Sequence, residues 1–162
     1  YNNIVSGPRG GVRGPLAIWL HQADFADKAQ ELGQYCRYDS SLAPRLTELA
    51  ILTTARIWGA MFEWQAHLRP ALAAGLDPTI IESLSTDKPP VFAAEDEALV
   101  YEFTRELNIK RGVSDALYKR SVSILGKAGT VDLVGILGYY ALISMTIKVF
   151  EVDPISVNEI EQ

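Results

Sequence analysis

Residues 45–75, RLTELAILTTARIWGAMFEWQAHLRPALAAG, form an apolar stretch with few breakers that nonetheless holds Glu48, Glu63 and His67. From Arg45 to Trp58 apolar residues cover nearly every side of a helix, the pattern of a central element rather than a peripheral one. Gly59 then supplies a break or tight crossing. Met61, Trp64, Leu68 and Ala71 make one stripe of a second helix that runs to Gly75, a natural C-terminal cap. Pro70 falls inside this pattern and predicts a kink or a change of direction. Ionisable groups in such a segment are costly unless they are paired or used. Any chemistry in this chain is therefore expected here.

Outward from this pair the chain reads as helical throughout. Residues 1–14 carry Gly7, Pro8, Gly10 and Gly11 and are expected to form an irregular arm. From Pro15, the residues Leu16, Trp19, Leu20 and Ala23 recur at helical spacing, and a further helical patch runs from Phe25 to Tyr38. Asp39-Ser40-Ser41 ends that patch, and Pro44 suits the first turn of the central helix. Beyond Asp77-Pro78 a short helix is expected over 79–84, then a surface loop over 85–90 ending in Pro89-Pro90. Residues 94–108 make an amphipathic helix built on Ala98, Leu99, Phe103 and Leu107. Ser114 caps another helix through Leu125, residues 126–129 form a turn, and the most apolar helix runs from Thr130 to about Phe150 before Pro154. No alternating strand pattern, hairpin signal or repeat is present. The fold class is all-α, with one domain over 15–154 and a tail over 155–162.

Composition narrows the function. A chain of 162 residues with 48% hydrophobic and 22% charged residues has the make-up of a globular domain. The net charge of −5 and the scattered basic residues argue against a nucleic-acid partner. Cys36 is the single cysteine, which excludes an internal disulfide and any CxxC motif, and it reads as a small buried hydrophobe in a reducing, cytoplasmic setting. The start shows no secretory leader, although the missing initiator Met leaves room for a removed one. The longest uncharged run, Leu133–Ile147, has 15 residues, short of the ~20 of a membrane span, and suits a buried core helix. Phosphate-cradling glycine motifs, metal-ligand clusters and Asp-rich loops are absent from the sequence, so neither a cofactor nor a metal is expected.

The ionisable residues allow several arrangements. Glu63 and His67 are four apart and share a helix face, either as a surface pair or as a tuned acid–base couple. Glu48 needs a partner, and Arg45, Arg56 and His67 are all candidates. Trp58, Phe62, Trp64, Tyr139 and Tyr140 are core residues or walls of a pocket. His21 reads as a helix-face residue without chemistry.

Three segments, RLTELAIL (45–52), FEWQAHLRPALAAGL (62–76) and VDLVGILGYYAL (131–142), resemble the carboxymuconolactone decarboxylase family, whose helical fold is shared with the alkylhydroperoxidase AhpD. The resemblance implies an AhpD-like multi-helix domain around a central antiparallel helix pair. In the AhpD-like branch a glutamate and a histidine serve a CxxC pair. Glu48 and His67 match the first two, while Ala60 and Glu63 occupy the cysteine positions. Without thiols there is no sulfenic acid and no resolving disulfide. The resemblance therefore implies the non-CxxC branch and a cofactor-independent decarboxylase acting on a small carboxylated lactone or related acid. It assigns proton transfer to His67, tuning to Glu63, and orientation of the ring to Glu48. Trp64, Arg69, Tyr139 and Tyr140 would contact substrate, with Arg69 or Arg56 as the cation. A homo-oligomer, trimer or hexamer, is implied as well. A peroxide-linked enzyme lacking the CxxC pair and a non-catalytic oligomeric binding protein are the alternatives.

Overall fold

In the computed structural model, residues 1–6 and 11–155 are described. The described residues are all helical or irregular: α1 (Asn2–Val5), α2 (Pro15–Trp19), α3 (Ala23–Gln34) with a π-helical turn at Tyr35–Asp39, α4 (Pro44–Trp58), α5 (Met61–Ala73), α6 (Pro78–Ser85), α7 (Glu95–Lys110) and α8 (Asp115–Val149). The AhpD-like all-α class expected from the sequence is the one observed.

The centre is α4. Every residue from Leu46 to Ala55 is buried, because α4 packs against α5, α6, α7 and α8 together. Its end is chemically simple. Gly59 adopts the left-handed conformation (φ 64°), its N–H donates to Arg56 O, and the Ala60 N–H donates to Ala55 O. The chain thereby reverses within two residues, and α5 runs back antiparallel along α4. Helix α5 passes through Pro70 without interruption and closes at Gly75.

The buried stripe of α5 differs from the expected one. Met61 is exposed, whereas Ala60, Glu63, Trp64, His67 and Ala71 are buried. Met61 is the first residue of the helix. The face turned inward is thus the one carrying the glutamate and the histidine.

Helix α8 contains the uncharged run, and Leu133, Ile136, Leu137, Tyr139, Tyr140, Ile143 and Ile147 are all buried. The helix is long and apolar enough to cross a bilayer by composition alone, yet most of that window is covered by the rest of the fold. The turn expected over 126–129 is shorter than predicted. Only Gly126 leaves helical geometry (φ 75°, ψ 172°), a region open essentially to glycine. Thr130 Oγ1 then donates to Gly126 O at 2.8 Å and lets the helix resume at once. At the far end Glu151 (φ 49°) turns the chain before Pro154 is reached, and the Val152 N–H donates to Ile147 O.

The N-terminal arm is also not wholly irregular. Residues 2–5 form one helical turn, held by Val5 N–H to Tyr1 O and by Ser6 N–H and Oγ to Asn2 O. The breakers begin only at Gly7; Gly7, Pro8 and Gly10 lie outside the described residues, as do residues 156–162 of the tail. Helix α2 docks onto α8 through Trp19, whose indole N–H donates to Thr146 Oγ1 at 2.9 Å and whose ring meets Tyr139 edge-on.

Asp132 fastens the π-helical turn to α8. Its carboxylate accepts from Tyr35 Oη (2.8 Å), the Ser41 N–H (2.8 Å) and Ser41 Oγ (2.6 Å), bracketing residues 35–41. Burial raises the Asp132 pKa, and these donors outweigh burial, so the carboxyl lies below its ordinary value. A lowered carboxyl pKa stabilises the fold above the unfolded value and loses that contribution as pH falls through the folded one. Asp132→Ala is expected to cost about 2 kcal/mol, the scale of hydrogen bonds to a charged group. Denaturant titration measures this, and an unchanged midpoint contradicts it.

Candidate active site

Glu48 lies in the middle of α4, and Glu63 and His67 lie one turn apart on α5. The antiparallel packing brings all three together. His67 Nδ1 is 2.6 Å from Glu48 Oε2, and His67 Nε2 is 2.8 Å from Glu63 Oε1. The imidazole is 2% exposed and each glutamate 6%. The Tyr140 ring meets the imidazole edge-on at 5.4 Å between centroids. A surface pair does not describe Glu63 and His67, and neither Arg45 nor Arg56 is the partner of Glu48. Arg45 is bound to Asp96 (2.6 Å), and Arg56 to Asp87 (3.0 Å).

Two acceptors facing the two ring nitrogens define the charge state. A neutral imidazole has one N–H and would turn a lone pair toward the other carboxylate. The imidazolium satisfies both. Burial acts to lower the His67 pKa, but the Glu63 charge and the hydrogen bonds to Glu48 and Glu63 prevail and raise it above 6.5. Its stabilisation is therefore fully present below the unfolded-state value and is lost as pH climbs through the elevated folded-state value. Urea titrations from pH 6 upward are expected to show stability falling on the alkaline side, with His67→Gln flattening that fall. An alkaline limb unchanged in the variant contradicts the assignment.

Glu63 and His67 open onto a cavity of about 470 Å³, whose walls include Arg13, Leu16, Arg37, Phe62, Arg69, Tyr139, Tyr140 and Ile143. Glu48 is not part of the wall and lies behind the imidazole. The order from interior to cavity is thus Glu48, His67, Glu63. Of the residues expected to meet a substrate, Arg69, Tyr139 and Tyr140 line the cavity. Trp64 does not: one residue beyond Glu63, it is turned about 100° around the helix and packs beneath the Arg56 guanidinium at 5.5 Å. Arg56 is likewise not among the residues that line the cavity. Cys36 is buried on the π-helical turn. Among the described residues, no group of three or more His, Cys, Asp or Glu side chains is arranged to hold a metal ion.

Arg37 is the residue that sequence reasoning passed over. It lies on the π-helical turn, half-buried, beside the cavity. Burial acts to lower its pKa, while Tyr140, Tyr38, Glu48 and Glu63 raise it, so the guanidinium remains charged within reach of the triad's field. Helical periodicity is counted at 3.6 residues per turn, and a π turn shifts that register, hiding which face Arg37 joins. The one available signal was a cation between aromatic residues, YCRYD.

Fold and site together define an all-helical protein with a buried carboxylate–imidazolium–carboxylate chain ending at a cavity. Residues 23–99 match the carboxymuconolactone decarboxylase family. The match runs from α3 into α7 and includes Glu48, Glu63 and His67, the π-helical turn and Arg69. No curated protein matches the chain.

Proposed function

We propose that this protein is a cofactor-independent lyase that removes carbon dioxide from a small carboxylated lactone or a related acid. The observation that carries this reading is the Glu48–His67–Glu63 chain, buried along its length and ending at the cavity. With both ring nitrogens engaged, His67 does not meet substrate alone. Glu63 touches the reacting carbon and His67 resupplies it with a proton, the imidazolium being held charged by Glu48. This departs from the assignment of direct proton transfer to His67 and mere tuning to Glu63.

The step balances without an external reductant or oxidant. The bond between the ring carbon and the carboxylate breaks, and its electron pair moves into the lactone carbonyl as a dienolate. Carbon dioxide leaves, the His67 Nε2 proton moves to Glu63, and Glu63 passes it to carbon. A proton taken up from solvent restores the imidazolium. A cavity walled by Leu16, Phe62 and Ile143 disfavours solvation of the departing carboxylate, and Arg69 holds the ligand. Ala60 and Glu63 stand where the peroxidase branch places its thiols, so that route has no sulfur to use. Self-association belongs to the same reading: Val131, Val134, Met145 and Val149 leave one side of α8 apolar and exposed.

Purified protein given carboxymuconolactone and related carboxylated lactones is expected to release carbon dioxide, and His67→Ala to lose that activity. Equal turnover by the variant removes His67 from the mechanism. No release from any of these lactones overturns the lyase reading.

A further inference from the structure

A second cavity, of about 260 Å³, lies between α4, the end of α6 with the loop behind it, and α7. It shares no lining residue with the cavity at Glu63 and His67. Arg56 from α4, Lys88 from the loop and Arg105 from α7 stand on its walls, against one carboxylate, Asp87. Three positive charges less one negative leave a local surplus of two, in a chain whose net charge is −5.

Two buried donors on these walls have no acceptor within the chain. Thr53 is 1% exposed, and its hydroxyl makes no hydrogen bond. A helical threonine commonly donates to the carbonyl one turn back, as Thr130 does to Gly126 O and Thr146 to Leu142 O. Arg56 Nε is buried and unpartnered as well, although Arg56 Nη2 donates to Asp87 Oδ2 at 3.0 Å. That Asp87 side chain is 79% exposed, so it meets the guanidinium from the solvent side. Among the described residues Lys88 and Arg105 enter no ion pair within 4 Å; the Arg105 guanidinium lies over the Tyr101 ring at 5.6 Å. Buried donors left unmade are costly, and here two of them fall on the one cavity that also gathers unpaired cations.

We propose that this second cavity binds a phosphate-type dianion, as the free anion or as a small phosphomonoester. Arg56 Nε and the Thr53 hydroxyl donate to it from α4, while Lys88 and Arg105 hold it from the loop and from α7. Its two negative charges equal the local surplus. Its tetrahedral oxygens accept donors arriving from three elements, whereas a carboxylate carries one charge and offers its acceptors in one plane. Asp87 is the internal competitor for Arg56.

Calorimetric titration of the full chain at pH 8 and constant ionic strength, with inorganic phosphate, methyl phosphate, acetate and chloride, tests the proposal. Both phosphates are expected to bind more tightly than acetate, and chloride to give no saturable heat. Arg56→Gln is expected to weaken phosphate binding on the order of 10–100-fold, the scale of a hydrogen bond to a charged group, and Thr53→Val by about 3–10-fold. Asp87→Asn is expected to strengthen it. Thr53→Val has a second readout: without phosphate its melting temperature equals or exceeds the native one, because a buried unpaired hydroxyl is gone, and its gain on adding phosphate is smaller. Should Arg56→Gln fail to fold, Lys88→Ala and Arg105→Ala decide, since both side chains are exposed; each is expected to weaken binding. Tighter binding of inorganic phosphate identifies the free anion as ligand, and tighter binding of methyl phosphate an ester; both uphold the site. Absence of saturable phosphate binding overturns the proposal. So does binding that all of these substitutions leave unchanged, or that Arg69→Ala in the other cavity abolishes while Arg56→Gln does not. The lyase reading stands or fails separately, on carbon dioxide release.

Discussion

Glu63→Gln is expected to lower the rate of decarboxylation by about 10²–10⁴-fold, the usual contribution of a positioned general acid or base, with substrate affinity little altered. Glutamine has nearly the shape of glutamate, and its amide oxygen still accepts the His67 Nε2 proton across the 2.8 Å gap. The cavity wall is preserved, but glutamine cannot hold and release a proton. The loss therefore falls on kcat, while KM reports binding contacts that the substitution leaves in place. A fall in kcat with unchanged KM is the predicted signature. A variant with native kcat would place the proton donor elsewhere, and one changed only in KM would make Glu63 a binding residue.

Glu48→Ala is expected to produce the largest change in stability. The residue is 6% exposed at the centre of α4, and its carboxylate accepts from His67 Nδ1 at 2.6 Å. Removing one member of a buried ion pair costs about 3–5 kcal/mol, because the remaining charge is left without its partner. For a chain of this length that is a fall on the order of 10 °C in Tm. The pH response should weaken as well. Without Glu48 the His67 pKa loses one of its supports and burial gains weight, so the imidazole deprotonates at lower pH. The alkaline fall in stability of the native protein should then be reduced or absent. Glu48→Gln, which keeps an acceptor and removes the charge, should lie between the two. Calorimetric melts at pH 6 and pH 9 check both statements; a loss below 1 kcal/mol would show that the buried charge is held by something other than this pair.

The central helix pair was legible because its departures from pattern were strong. Glu48, Glu63 and His67 each stand in an apolar helical segment, and Gly59 marks the reversal between the two helices. What the residues alone left open was the partner of Glu48. That depends on the register in which α4 and α5 pack, a tertiary quantity with no local signal. Arg45 and Arg56 were equally reasonable until their bonds to Asp96 and Asp87 could be seen. Trp64 was misplaced for a related reason: adjacency to Glu63 in sequence is a turn of about 100° on a helix. Arg37 on the cavity wall drew no attention in the sequence, because a π turn breaks the periodicity from which faces are read. The short helix at 2–5 and the single-residue break at Gly126 were obscured by neighbouring glycines that suggested longer irregular segments. Glycine content marks where a chain is free to bend and does not say for how many residues it does.

The central claim is that a charged imidazole is held between two buried carboxylates and feeds the cavity. Nitrogen-15 NMR of the two histidine side chains, followed from pH 6 to pH 9, addresses it directly, with His67→Gln assigning the signals. One imidazole is expected to keep both nitrogens protonated well above pH 6.5, to show two slowly exchanging ring protons, and to become neutral at lower pH in Glu48→Gln. A His67 ring that is a single neutral tautomer at pH 7, unaffected by Glu48→Gln, would contradict the account.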